Sequence, residues 1–344
     1  MYINCHTYYS LRYGIISEIQ MLELAQQAGA QTVVLTDVNN TSACLNFIRL
    51  APKYGIRPVV GIDFRDGARQ LYVGIAKNNE GFRQLNVFLS HYKHEQEALP
   101  ERAPHLNDVI WIYPFEQVLR NNMEDLFEGE WIGIGLQDVR KLRYSRLHHM
   151  QERLVALNSM TFRSEAKLQK RDFNMHRLLR AIGNNILLSK LPQEAQASQE
   201  DVYTSIADLK KGYVQAGYPN IIDQTERLLK SCSIFFDFSP ERRHQNKLVY
   251  SGTKEEDYTL ICQLCEQGLV YRYDHVTDEV KARLKKELDL IRKMDFIPFF
   301  LVHWDIISYA KRCGYFHVGR GSGANSIVAY LLGITDVDPI ELDL

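Results

Sequence analysis

Several things are missing from these 344 residues, and each absence removes a class of function. No apolar run reaches the ~18 residues that a membrane span needs. The N-terminus, MYINCHTYY, lacks the basic-then-apolar layout of a secretion signal. There is no low-complexity tract. There is also no excess of either charge: 41 Lys and Arg stand against 42 Asp and Glu, for a net charge of −1. Such a chain does not bind polyanions through its overall field, so any nucleic-acid contact must come from a local basic patch. The six cysteines, at 5, 44, 232, 262, 265 and 313, are scattered, which excludes a disulfide framework. Cys262 and Cys265 form a lone CxxC inside a helical pattern, with no second pair to complete a zinc site. Neither GxxxxGK[ST] nor a GxGxxG after a buried strand occurs. The chain reads as a cytoplasmic protein with no membrane segment.

The length allows two domains, each with its own core. The first 80 residues alternate short strands with helices. Strands are expected at Tyr2 to Cys5, 32–37 (TVVLTD), 57–64 (RPVVGIDF) and 70–76 (QLYVGIA). A helix is expected from Glu18 to Ala28, capped by Ser17 and stopped by Gly29, and another from Thr41 to Tyr54, closed by Gly55. This alternation implies a parallel α/β sheet or barrel, whose strand C-termini carry the chemistry. From 100 to 250 the pattern loosens. Strands are expected at 130–136 and 153–162, and a helix at 172–189. The polar stretch 239–257 reads as a linker. Helices follow at 258–272, 278–293, 299–312 and 324–332.

The segment HVGRGSGANSIVAYLLG, 317–333, concentrates the chemistry. Gly319, Gly321 and Gly323 alternate, so the backbone can approach a ligand closely. Ser322 is placed as the N-cap of the next helix, where free N–H groups and the helix dipole favour an anion. Arg320 adds a fixed charge with phosphate-matching geometry. The set favours phosphate or triphosphate. The bland alternative is a plain turn with a capping serine.

Residues 296–344, FIPFFLVHWDIISYAKRCGYFHVGRGSGANSIVAYLLGITDVDPIELDL, closely resemble the early palm of the bacterial DNA polymerase III alpha family, down to the ITDVDP tail. The family's GRGS element grips the triphosphate of the incoming nucleotide. The resemblance therefore assigns phosphate cradling to Gly321 and Ser322, and pairing to Arg320. One departure is that His317-Val318-Gly319 lacks the proline that usually precedes GRGS. The family's metal-binding carboxylates come later, in a Pro-Asp-Phe-Asp-Val-Asp type strand that is not found here. The resemblance implies that they lie beyond residue 344 and that this chain is an inactive amino-terminal part, with no catalytic residue of its own. Asp336 and Asp338 share the spacing of a metal pair but belong to ITDVDP, which the family uses structurally.

The same family begins with a polymerase and histidinol phosphatase (PHP) domain, a distorted barrel. NCHTYYSLRYG, VLTDVNNTSA, IRPVVGIDFR and LYVGIAKNNEGFRQLN resemble it. Metal-binding members carry His-x-His, Thr-Asp-His, a Glu, a further His, and a later Asn-Asp-x-His. Here Asn4 replaces the first histidine, His6 keeps the second and Asp37 remains. Val38 replaces a histidine, Asp63 replaces the Glu, and Leu71 falls where a histidine would be. Ser159 and Thr161 fall at the later Asp and His. The resemblance implies a vestigial site, His6, Asp37 and Asp63, that holds no metal, with His6 and Asp37 hydrogen-bonded to each other and any proofreading activity of the domain lost.

The expected fold is thus α/β: a distorted (β/α) barrel-like PHP domain over 1–240, a linker over 241–257, and a mostly helical, incomplete polymerase-beta-like palm segment over 258–344. The expected function is the amino-terminal part of a DNA-directed DNA polymerase. The whole protein would use Mg²⁺, primer-template DNA and deoxynucleoside triphosphate. Its barrel would be structural, or a dock for a proofreading exonuclease or another replisome subunit. The alternative is a stand-alone metal-dependent phosphoesterase of the PHP family, which the lost ligands disfavour. Basic runs at 139–149 and 281–293 read first as solvated, internally paired faces.

Overall fold

The computed structural model describes residues 1–239 and 247–344, so 241–246 of the expected linker lie outside the described residues. The chain divides into two compact units, Met1–Pro240 and Glu241–Leu344.

In the first unit seven strands form one sheet in sequence order. They are β1 (Tyr2–Cys5), β2 (Thr32–Leu35), β3 (Arg57–Asp66), β4 (Arg69–Ala76), β5 (Val109–Pro114), β6 (Glu130–Ile134) and β7 (Leu154–Ala156). The sheet is mixed, which corrects the purely parallel expectation. β1, β2 and β3 run parallel, as do β5, β6 and β7, but β4 is antiparallel to both β3 and β5. The reason is local: only Gly67 and Ala68 separate β3 from β4, and so short a turn permits only an antiparallel hairpin. A parallel bridge between Cys5 and Met160 joins β1 to the chain after β7.

Both faces of the sheet are buried, which is why its strands read as continuous apolar runs. Ile3, Val34, Val59, Val73, Ile110, Ile112 and Val155 form one core with Leu229 and Cys232. The other face packs with α1 (Glu18–Gln27), α2 (Cys44–Leu50), α3 (Asn79–Glu95), α4 (Phe115–Asn121) and α5 (Val139–Leu142). Three helices complete the unit: α6 (Ala166–Gly183), α7 (Ile206–Gln215) and α8 (Asn220–Lys230), the last supplying Leu229. The sequence pattern leaves 79–95, 109–121 and 206–230 unassigned. Ser17 does cap α1, in a reciprocal capping box with Gln20.

The second unit is helical: α9 (Lys254–Arg272), α10 (Asp278–Lys293), α11 (Ile297–Arg312) and α12 (Ile327–Leu331). Residues 254–257, expected in the linker, are the first turn of α9, because Thr253 accepts from the Glu256 N–H and acids fill that turn. Ile261, Cys265, Leu288, Ile291, Leu301, Ile327, Val328 and Leu331 form its core. Cys265 is buried there as a thiol, and burial pushes it up to about 12. At Gly268 a Cβ would stand 2.3 Å from the Leu331 carbonyl oxygen, so the missing side chain lets α9 and α12 meet backbone to backbone.

Candidate functional site

The polar residues at the strand ends of the barrel are tied to one another. His6, at the end of β1, is fully buried. Its Nε2 lies 2.9 Å from Asp63 Oδ2 and its Nδ1 3.1 Å from Thr161 Oγ1. Asp63 also accepts from Arg65 Nε at 2.9 Å and from Gln70 Nε2 at 2.9 Å. Asn39 fixes the Arg65 backbone through both its N–H and its carbonyl. Asn4, in the left-handed region at φ 67°, donates to Ser159 Oγ at 2.7 Å and accepts from Thr36 Oγ1 at 3.1 Å.

The expected bond between His6 and Asp37 is not formed. The Asp37 carboxylate is taken by the Thr7 N–H at 2.7 Å, the Thr7 hydroxyl at 2.8 Å and the Ser10 hydroxyl at 2.7 Å. Its lone pairs are used locally, and His6 turns to the carboxylate on β3 instead. Burial pushes the Asp37 carboxyl up, against those donors. Burial also acts to raise Asp63, but the Arg65 charge and the His6 bond outweigh it and hold the carboxyl down at about 2.

Aromatic and cationic groups cover this cluster. The Arg65 guanidinium lies 4.8 Å from the Tyr13 ring centre, and Arg180 lies 5.7 Å from the same ring. Both are within cation–π range. Tyr13 meets His6 and His176 edge-on. His176 accepts the Ala197 N–H at Nε2, so its Nδ1 carries the proton and donates to the Tyr13 carbonyl at 2.7 Å. Burial lowers His176 to about 4 and raises Asp201, beside Arg65, to about 7.

These residues do not fit a metal cluster. Leu71 is buried in the apolar core, and Val38 packs with Phe162 and Tyr13. Ser159 and Thr161 bond to Asn4 and His6, and Arg65 puts a fixed cation against the one carboxylate that His6 faces. Among the described residues no group of three or more His, Cys, Asp or Glu is placed to hold a metal.

The glycine-rich turn differs in detail from the expectation. Residues 322–325 form a single 3₁₀ turn, and the following helix starts only at Ile327. Its N-cap is Ser326, which accepts the Ala329 N–H, and not Ser322. Glu287 of α10 reinforces that cap, accepting from Ser326 Oγ at 2.6 Å and from the Val328 N–H at 3.4 Å. The helix terminus is therefore already served by a carboxylate of the chain itself. The turn keeps its own donors. Gly321, at φ 89° and ψ −176°, adopts a conformation essentially restricted to glycine. Among the described residues the N–H groups of Gly321, Ser322 and Gly323 have no protein acceptor, and the side chains of Arg320 and Ser322 are exposed.

Comparison with known proteins matches residues 3–158 to the PHP domain and residues 259–344 to the bacterial DNA polymerase III alpha NTPase domain. The chain carries a PHP domain and, after it, a bacterial DNA polymerase III alpha domain. Curated relatives include a DNA polymerase III subunit alpha from Halalkalibacterium halodurans, 24% identical over 372 residues, covering 100% of this chain and 32% of the relative. Others come from Treponema pallidum, 27% identical over 392 residues with 100% and 32% covered, and from Streptococcus pyogenes serotype M1, 27% over 350 residues with 99% and 31% covered. The chain spans about a third of the length of these relatives.

Within the polymerase III alpha domain the two carboxylates of ITDVDP are engaged by the fold. Asp336 pairs with Arg272 at 2.8 Å. Asp338 accepts from the Tyr273 hydroxyl at 2.9 Å and the Ile340 N–H at 2.8 Å. The two basic runs are also partly paired, through Lys141 to Glu116 and Asp138, Arg146 to Glu124, and Arg283 to Glu287. In the PHP domain the resemblance points to ligand positions and so passes over Arg65, Gln70, Tyr13, His176, Arg180 and Asp201. The one available signal is Arg65 two residues after Asp63, where a strand begins to return a side chain to the same face.

Proposed function

We propose that the chain is part of a DNA-directed DNA polymerase, with the PHP barrel as an inert scaffold and the GRGS turn as the cradle for the triphosphate of an incoming nucleotide. The observation that carries the barrel half of this reading is Arg65. The Arg65 guanidinium, bonded at 2.9 Å to the carboxylate that His6 also faces, sets a fixed positive charge against a divalent cation there. Phosphoesterase chemistry would need such a cation to activate water, and nothing observed favours that alternative. For the turn, support comes from three N–H groups without a protein acceptor among the described residues, from an exposed Arg320 that makes no ion pair among them, and from an exposed Ser322 hydroxyl, all on a turn whose backbone needs glycine.

In the polymerase a bound divalent metal would neutralise charge developing on the phosphates, and Asp336 and Asp338, engaged by Arg272 and Tyr273, would not hold it. The chain's own residues bind and orient: the Gly321 to Gly323 N–H groups and the Ser322 hydroxyl donate to the phosphate oxygens, and Arg320 pairs with them. Primer-template DNA and a deoxynucleoside triphosphate are the substrates. A proofreading exonuclease or another replisome subunit is a partner for the barrel, in the cytoplasm. No helix among the described residues is long and apolar enough to cross a membrane. The chain by itself extends no primer, since Asp336 and Asp338 are already bound to Arg272 and Tyr273.

Steady-state kinetics of the natural full-length polypeptide test this. Arg320→Ala raises the KM for nucleotide by about tenfold or more, as loss of a charge-assisted bond requires, and leaves primer-template Kd unchanged. Intact nucleotide kinetics with lost primer-template binding would make the turn a DNA-backbone clamp and refute the assignment.

A further inference from the structure

Helix α6 has two unlike faces. Phe173, His176 and Ala181 face inward, where Phe173 packs with Tyr13, Phe162 and Ala197. Opposite them Met175, Leu178 and Ile182 follow one another at helical spacing and are 44–58% exposed. Beyond the helix the chain folds back, with the Ile186 N–H bonded to the Ala181 carbonyl. This extends the strip with Ile186, Leu188 and Leu187, the last 66% exposed. The loop carrying Leu11, itself 75% exposed, abuts the same end, since a Cβ on Gly183 would meet the Arg12 side chain at 3.2 Å. One turn of apolar exposure is ordinary, but a contiguous strip at helical spacing marks an interaction surface.

The charges around the strip say what covers it. Between residues 163 and 190 the only acids are Glu165 and Asp172, and Asp172 is bonded to Arg163. Lys167 and Arg171 lie eight and four residues before Met175, on the same outer face. Lys170 and Lys190 border it. None of these four makes an ion pair among the described residues. The strip is therefore an apolar track with uncompensated cations at both ends. A lipid surface fits it poorly, because the opposite face of α6 is built into the barrel and the outer face carries no aromatic anchor. A second copy fits poorly too, because it would bring the same cations into one interface.

We propose that the outer face of α6 docks an amphipathic helical segment of a second protein, with aliphatic residues at helical spacing and Asp or Glu at its ends. Apolar anchors supply the affinity and the flanking charges set the choice of partner. The proposal does not depend on what the GRGS turn binds.

Fluorescence anisotropy tests the proposal, using the 344-residue chain. The probes are two labelled peptides of about 18 residues, five helical turns, sharing one leucine face. One carries Glu at its flanks and the other Lys. The acidic peptide should bind about tenfold tighter or better, a gap that shrinks with added salt. Ile182→Glu should abolish that binding with the thermal melt unchanged, since the side chain is exposed. Lys167→Glu with Arg171→Glu should reverse the preference toward the basic peptide. Equal affinity for the two peptides, or acidic-peptide binding that survives Ile182→Glu, would overturn the proposal. Self-association lost on Ile182→Glu, or binding to phosphatidylserine vesicles in place of the peptide, would assign the surface to a second copy or to a membrane instead.

Discussion

Asp63 shows how one buried carboxylate organises its surroundings. It faces His6, Arg65 and Gln70 with no solvent access, so its charge is tolerable only while those donors stay. Arg65→Ala should cost about 3–5 kcal/mol, as for breaking a buried pair from one side. Asp63→Asn with Arg65→Met should recover much of that loss, because no unpaired charge remains. Urea unfolding of the parent and the two variants would check this, and an Arg65→Ala protein as stable as the parent would contradict it. Two neighbours oppose each other in pH. His176 refuses a proton down to about 4, so it withdraws stability as pH falls below the unfolded value near 6.5. Asp201 holds its proton up to about 7, so its contribution is full below the unfolded value near 3.9 and is lost as pH rises toward 7. By linkage His176 is worth about 3 kcal/mol and Asp201 about 4 kcal/mol, and their opposite slopes nearly cancel between pH 4 and 6.5. Asp201→Asn removes one side. Its stability should then climb with pH across that window, while the parent stays nearly flat. Parallel profiles for the two proteins in denaturant titrations at several pH values would contradict this account. Little of this was legible in the sequence. The surviving positions His6, Asp37 and Asp63 stand out by resemblance, but their partners come from strands and loops far apart in the chain, and no spacing rule pairs Asp63 with His6 over Asp37.

Among the elements, those with local signals were the most legible. Helix α10 starts and stops where Thr277, Asp278, Arg292 and Lys293 say it should. The Asp-Gly hairpin between β3 and β4 was equally written in the chain, yet the strand alternation around it suggested a parallel sheet. The start of α12 was misplaced because two serines compete for the cap. Ser326 wins because Glu287, 39 residues earlier, reaches it, and a tertiary partner is invisible to local pattern. Ser326→Ala should therefore cost about 1 kcal/mol in the second unit. Gly268→Ala should cost more, about 1–3 kcal/mol, because the Leu331 carbonyl must retreat and drag α12 with it. Thermal unfolding followed by near-UV signal would rank the two, and a neutral Gly268→Ala would show that α9 and α12 do not meet closely.

For the whole molecule, chemistry and scaffold separate. Residues 3–158 match the PHP domain, and their strand ends are stitched together by hydrogen bonds and roofed by Tyr13 between Arg65 and Arg180. The purified chain should hold well under one equivalent of zinc or manganese and show no phosphoesterase activity with added Mn²⁺. Stoichiometric metal by elemental analysis would refute that. In the second unit, among the described residues, the N–H groups of Gly321, Ser322 and Gly323 have no protein acceptor and Arg320 beside them is exposed. A titration of the ¹⁵N-labelled 344-residue chain with inorganic tripolyphosphate, read by amide chemical shifts, examines both halves together. Shifts should be confined to Arg320 through Gly323 and their neighbours and should vanish in Arg320→Ala. Shifts at His6, Asp63 and Arg65 with a silent turn would place the anion site in the barrel and contradict the account.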